Sequence, residues 1–505
     1  MKNTDKMKRR QMVAVCAGMI ALLMFASCER DYGPDIGDYN SIGTIVYSQH
    51  VQPIFTQKCA TSGCHNAETA AEDLVMDSWS SLIQGSHHGA MVIPFRPEKS
   101  HLIFHVNRNT AVAPVADPQM PPDKPLSEDE VNFLMRWIRE GAKNDFEQVP
   151  FEEPRHGRVL VTNQADDEIA VIDVSSNLLM RMVSVGSLDN RVTPPEAPHN
   201  IVVDPLRQVY YVNMIVANEI WKFDTRENEF LGKLSLGAQR SPAQIALSID
   251  GTKGYVTNFD LTKTHRAVQI FDTQTMQVTD EISDQRMQAP HGITRTPESS
   301  SFWVACQQSD NIAILTVGVD VDDEIEIVKV DSTVPDLATS DYTPKFGPYQ
   351  LMFTSDGRYA YLTCRFSNEV RVFDTETKEL VKIIPVGVNP LILDITPDDR
   401  LVYVANRGTG ASPSQSVSVI NTFTQTEIMK IQNVGVEPHG VVVSQTGEYV
   451  YVSCENVNSP DEPHHPVAGL NTPGIVAVID AATNTVIKRI EVGAFAAGIA
   501  FLPVP

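Results

Sequence analysis

The 505-residue sequence predicts a multidomain chain, a small all-α domain followed by an all-β seven-bladed β-propeller. Three observations carry that prediction. Apolar residues recur at helical spacing between about residues 42 and 146. A strand-like unit then recurs seven times to the end of the chain, and the two ends of this repeat region are complementary fragments of one unit. The boundaries that follow are a leader over residues 1–28, a linker over 29–41, the helical domain over 42–146, a second linker over 147–156, and the repeats over 157–505.

The leader carries Lys2, Lys6, Lys8, Arg9 and Arg10 ahead of an apolar run from Met12 to Phe25, which ends in Ala26-Ser27-Cys28. A charged start, an apolar run too short to span a bilayer comfortably and small residues before a cleavage point make an export signal. Because a cysteine follows the small pair, the segment resembles a bacterial lipoprotein signal, which implies lipidation of Cys28 and anchoring of the folded part to a membrane surface. Phe25 stands where such signals usually have Leu, and an ordinary signal with an incidental cysteine is the alternative. The formal net charge is −23, and about −27 once the leader is removed. So acidic a surface excludes nucleic acid as a partner and favours basic partners or plain solubility.

In the helical domain the chemistry sits in Cys59-Ala60-Thr61-Ser62-Gly63-Cys64-His65, with Met120-Pro121-Pro122 downstream. Two cysteines followed by a histidine is the order that tethers a c-type haem, although the usual spacing is C-x-x-C-H and here it is two residues wider. A methionine on the far side would complete a Met/His pair, which leaves no open coordination position and points to electron transfer. Thr44 to Phe55 is an apolar-periodic stretch that predicts a helix before the cysteines. Ser127-Glu128-Asp129-Glu130 is a capping box, followed by Val131, Leu134, Trp137 and Ile138 at helical spacing and by Gly141 as the stop. These two helices are expected to cross and enclose the cofactor. A disulfide, or a zinc site completed by a fourth group, is the rival use of Cys59, Cys64 and His65. His87, His88, His101 and His105 are rival sixth ligands to Met120.

The ordered run Val51-Gln-Pro-Ile-Phe, Cys59, Cys64-His65, Val92-Ile-Pro, Pro97-Glu-Lys-Ser100, Met120-Pro-Pro, Trp137-Ile138 and Gly141-Ala142 resembles the small cytochrome c domains fused to propellers in bacterial envelope proteins. The resemblance implies one covalent haem c on thioethers from Cys59 and Cys64, with His65 proximal and Met120 distal. It also implies redox partner proteins of the cell envelope.

Beyond residue 157 the strand Tyr255-Val256-Thr257-Asn258 returns as Val161-Thr162-Asn163, Tyr211-Val212-Asn213, Trp303-Val304-Ala305-Cys306, Tyr361-Leu362-Thr363-Cys364, Tyr403-Val404-Ala405-Asn406 and Tyr451-Val452-Ser453-Cys454. Seven copies over about 350 residues leave room for four strands each, which is a β-propeller. The first copy lacks an opening strand at Gly157 and the last is followed by a surplus one, Ala496 to Phe501, so the C-terminal strand is expected to close the ring. On this alignment Cys306, Cys364 and Cys454 share a register with Asn163, Asn213, Asn258 and Asn406, which makes them structural variants of one strand end. The wording of the repeat resembles the YVTN-type propellers of exported bacterial proteins, a likeness that implies fold and leaves function open.

The opening strand of each blade lines the channel, and the residue after its leading proline is in turn His199, Ala243, His291, Tyr349, Leu391 and His439, with Ala497 closing the ring. Three histidines in one register are expected around the channel mouth. The long insertions at 331–344, 407–415 and 456–474 fall on the same face, with His464 and His465 read as solvated loop residues. The functional reading is a second metal or a redox-substrate site with Tyr349 beside the imidazoles. The structural reading is that Pro-His-Gly starts a strand. Two functions follow: an electron carrier whose propeller docks or recognises, favoured here, or an oxidoreductase that passes electrons from the channel mouth to the haem.

Overall fold

A computed structural model of the chain describes residues 39–152, 156–185, 196–261, 266–298, 301–317, 324–459 and 471–504. The leader with Cys28, and the loop holding His464 and His465, lie outside them.

The N-terminal region is sparsely helical. Four short helices, α1 (Gln52–Lys58), α2 (Trp79–Ile83), α3 (His101–Val106) and α4 (Glu128–Arg139), are joined by turns and single 3-10 turns. Pro94, Pro97, Pro114, Pro118 and Pro121 explain why an all-α expectation overshoots, since none has an N–H to continue a helix. The helix predicted over 44–55 begins instead as a π turn, Tyr47–Val51, and continues as α1. Pro53 cannot donate to the residue four before it, so the first turn widens. His50 Nδ1 takes up the Val46 N–H at 2.9 Å.

Helix α4 is capped as its sequence requires: Ser127 Oγ accepts from Glu130 N at 3.2 Å and Glu130 Oε2 accepts from Ser127 N at 2.6 Å. The pair stabilises the helix start by about 1 kcal/mol. Its buried face sets Trp137 against Tyr47 and Phe55, with ring centroids 5.6 and 6.4 Å apart. Burying each of these rings contributes about 2–3 kcal/mol.

Residues 158–502 form seven four-stranded antiparallel sheets among the described residues. Six follow chain order. The remaining one, blade one, takes Ala496–Leu502 as its innermost strand beside Arg158–Asn163, so the two chain ends of the propeller share a sheet. One register of the second strands holds Tyr211, Tyr255, Trp303, Tyr361, Tyr403 and Tyr451, all buried. The hydroxyls reach sideways into the next blade: Tyr403 to Asn484 Oδ1 at 2.6 Å and Tyr451 to Asn177 Oδ1 at 2.5 Å. An aromatic at this position fills the space between blades, and in these two the polar end is satisfied as well.

The penultimate residue of the same strand stitches neighbouring blades at the channel. Thr162 Oγ1 donates to His199 O, Thr257 Oγ1 to His291 O, Thr363 Oγ1 to Leu391 O and Ser453 Oγ to Ala497 O, at 2.5–3.0 Å. The same hydroxyls accept from main-chain N–H groups of their own opening strands, for example Gln350 N at 3.1 Å. Those donors are unpaired because the ladder shifts register just after the leading proline. In blade two Asn213 Nδ2 does the work, donating to Ala243 O at 2.7 Å. This corrects the alignment drawn from sequence. Pro198 pairs with Met214, so Met214, not Asn213, matches Asn258 and the three buried cysteines.

The N-terminal region packs on blades one and seven. Ala90 and Ile93 join the apolar cluster of Leu179, Met182, Ile490 and Val492. Glu168, nearly buried, is held between Arg96 Nη2 at 2.7 Å and Lys99 Nζ at 2.9 Å.

Candidate functional site

Three of the four sequence-predicted residues of the N-terminal region meet at a cavity of about 220 Å³, and Cys64 is not among its lining residues. Cys59, His65 and Met120 line it together with Leu74, Met76, Met91, Leu102 and Val106. It lies between the end of α1, the 65–76 loop, α3 and the 118–120 loop; α4 contributes no lining residue and backs the core instead. The expectation that the first and last helices enclose the cofactor is therefore corrected. The reason is that α4 spends its apolar face on the Tyr39–Ser41 and Pro97–Lys99 turns, on α3 and on the Tyr47 and Phe55 rings.

The wide cysteine spacing is absorbed by a turn. Cys64 N bonds Thr61 O at 3.0 Å, His65 N reaches back to Cys59 O at 3.1 Å, and Gly63 takes the left-handed φ of 84° that closes the loop. His65 Nδ1 lies 3.1 Å from Ala71 O, a carbonyl that accepts its proton and leaves Nε2 as the nitrogen that would bind an iron. Met120 is placed by its N–H to His105 O at 2.8 Å, while His105 Nδ1 holds Pro118 O at 2.8 Å. Burial pushes the Cys59 thiol up to about 12 and lowers His105 below the usual imidazole range. An apolar pocket bounded by a cysteine, an imidazole with a fixed tautomer and a thioether suits a haem, so the donor set fits the group that the sequence implies.

Of the four rival histidines, His88 and His105 line this cavity, His87 is exposed, and His101 turns toward Glu491 of the propeller at 3.8 Å. Ser86 and His88 are shared with a cleft of about 1110 Å³ between this region and blade seven, where Asn456, Lys488 and Arg489 face it.

At the channel the three histidines are closer than their blade separation predicts. His199 packs edge to face on His291 and on His439, with ring centroids 5.9 and 5.6 Å apart, and His291 stacks on Tyr349 at 3.7 Å. Seven short strands with alanines at two of the seven positions leave a channel narrow enough for the rings to touch. They line one end of a cavity of about 430 Å³ whose wall includes Asp394. Burial raises the Asp394 carboxyl to about 6.

Each Nδ1 is engaged, His199 with Gln164 Nε2 at 2.6 Å, His291 with Tyr349 O at 3.2 Å and His439 with Glu455 Oε1 at 2.7 Å. Burial, then the neighbouring His439, lowers His199 to about 3, and burial also holds His291 well below its usual range. No group of three or more His, Cys, Asp or Glu side chains among the described residues is arranged to hold a metal ion.

A second ring went unnoticed in the sequence. The residue after each second strand's Asn or Cys returns to the mouth: Gln164 and Glu455 bond to histidines, Phe259 packs edge-on against His291, and Arg365 lies over Tyr349 at 5.1 Å. Arg407 Nε meets Glu455 Oε1 at 2.7 Å, and Glu437 Oε1 is 3.5 Å from Arg407 Nη2. Counting one residue past the repeated strand end would have found them.

Two family models match the chain. One described as planctomycete cytochrome C covers residues 62–124, which include Cys64, His65 and Met120 but not Cys59, and one described as lactonase, 7-bladed beta-propeller covers 320–459. Among solved structures, a protein of unknown function from Desulfotomaculum acetoxidans superposes with a TM-score of 0.53 at 12% identity, over 69% of this chain and 100% of that one. A candidate 6-phosphogluconolactonase from Bacteroides uniformis gives 0.51 at 14%, over 69% and 100%, and one from Bacteroides fragilis 0.50 at 16%, over 68% and 98%. At these identities the likeness is one of fold. No curated protein matches. The chain joins a cytochrome-c-like segment to a seven-bladed propeller.

Proposed function

We propose that the chain is a haem c-binding electron-transfer lipoprotein of the bacterial cell envelope, exported and anchored through lipid on Cys28, whose propeller is a docking or recognition platform for envelope redox partners. The observation that carries this reading is the convergence of Cys59, His65 and Met120 on one apolar cavity, the last two within the segment matched by the cytochrome family model. One haem attached through Cys59 and Cys64 supplies reversible one-electron chemistry at its iron. The residues around it orient and insulate. Ala71 O fixes the His65 ring, His105 O and the Pro118 contact fix the Met120 loop, and Leu74, Leu102 and Val106 keep water from the site. The acidic surface suits basic partners and disfavours nucleic acid.

Pyridine haemochrome spectroscopy on protein made in a host that matures c-type cytochromes tests the reading, with Cys64→Ala as control. Covalent haem in the wild type and a spectrum shifted or lost in the variant supports it; wild-type protein without covalent haem overturns it. A second reading, an oxidoreductase with its substrate at the channel mouth, is favoured by the three touching imidazoles. Substrate-dependent reduction of the haem that disappears in a channel-mouth variant would establish it over the carrier reading.

A further inference from the structure

We propose that the channel mouth is a binding site for a small anion, a carboxylate or phosphate-type oxyanion, gripped by Arg365 and the Gln307 amide. The proposal rests on the propeller acting as a recognition platform and is independent of the haem.

The two arginines of the mouth differ in what surrounds them. Arg407 is spanned by Glu455 and Glu437, both essentially buried, while its own side chain is 23% exposed. The carboxylates sit behind and the guanidinium faces outward. Arg365 has no carboxylate within 4 Å among the described residues; its Nε donates to the neutral Asn389 Oδ1 at 2.9 Å, and its plane lies over Tyr349. Burial pulls the Arg365 pKa down from the usual guanidinium range; Tyr349 and Glu455 act the other way, and Arg407 adds repulsion. A half-buried guanidinium with no carboxylate in direct contact is costly, and a bound anion offsets that cost.

An independent observation comes from the adjacent blade. Gln307, at the register position of Arg365 one blade earlier, is 3% exposed, and its Nε2 is buried without a hydrogen-bond partner. An orphan donor at such a depth costs about 1–3 kcal/mol unless an acceptor is supplied. Beneath the two donors, burial keeps His199 and His291 uncharged, so they offer neither repulsion to a metal nor a countercharge to the anion. What the mouth lacks is an acceptor-rich ligand, and a planar carboxylate or a phosphate oxygen pair matches the fork of Arg365.

Titration calorimetry of the holoprotein with malonate and with phosphate, at an ionic strength fixed by chloride, tests this. Saturable binding of either, weakened about tenfold or more in Arg365→Gln and in Gln307→Leu, is the expected result. The exposed Arg226→Gln should leave it unchanged. Absence of saturable binding in the wild type overturns the proposal, and so does binding that survives both variants, which would be an adventitious ion only. A stoichiometric metal that co-purifies and is lost in His291→Ala overturns it in favour of a metal site. The haem spectrum and thermal unfolding of each variant in chloride separate loss of the site from loss of the fold or of the haem reading. If Arg365→Gln fails to fold, Gln307→Leu alone decides.

Discussion

His291 Nδ1 lies 3.2 Å from the carbonyl oxygen of Tyr349. That carbonyl holds the position served in five of the seven blades by a Thr, Ser or Asn side chain from the preceding blade, and in blade four, as in blade six, the stitching residue is an alanine, Ala305, which has nothing to donate. The imidazole fills the gap. His291→Leu is expected to lower stability by about 1–2 kcal/mol by orphaning a buried carbonyl, and Ala305→Ser in the same chain should recover most of it. Denaturant unfolding of the four members of this cycle measures the coupling. Independent, additive effects would mean that His291 is not a substitute stitch.

Acid should act on the mouth through Glu455, His199 and His291, and the first two can be separated by mutation. Burial raises the Glu455 carboxyl, but its hydrogen bonds to His439 and Arg407 outweigh this and bring it from 4.5 to about 2. A depressed carboxylate contributes stability above its unfolded pKa that is lost as pH falls, here between about 4.5 and 2. His199 is depressed from 6.5 to about 3, so the unfolded chain binds its proton first and stability also falls as pH drops through that wider window. Glu455→Gln should cost about 3 kcal/mol at neutral pH by breaking a buried ion pair, and should flatten the limb below pH 4.5. His199→Gln should flatten the part between 6.5 and 4.5. Melting temperature against pH for the three proteins reads both.

Met120→Ala should preserve covalent haem and remove the methionine-iron charge-transfer band of the oxidised protein. It should also lower the reduction potential, because a thioether ligand favours the reduced iron. His88 and His105 line the same cavity and are the replacements at hand. Unchanged spectrum and potential would show that the sixth ligand is another residue.

The docking of the N-terminal region depends on a buried carboxylate. Removing Arg96 leaves Glu168 with Lys99 alone, at a cost of about 3 kcal/mol, and Arg96→Ala should speed proteolytic cleavage near residues 147–156 without altering the haem spectrum. Cleavage at the wild-type rate would show that the apolar contact of Ala90 and Ile93 holds the interface unaided.

The sequence alone carried the propeller and its count, because most blades repeat the same local solution, a buried aromatic, a polar stitch and a turn, spaced so that the period is visible by eye. It also placed His65 and the α4 capping box, which depend on neighbours within a few residues in the chain. Only the tertiary structure decided that the haem-candidate cavity lies against α3 rather than α4, since both helices carry apolar residues to bury and the choice of partner is made by packing. Only it decided that His199, His291 and His439, up to 240 residues apart, touch across the channel. It also set Arg365 and Gln307 at equivalent positions of adjacent blades. The ring's diameter sets these meetings, and that diameter is a sum over seven blades which no single repeat encodes.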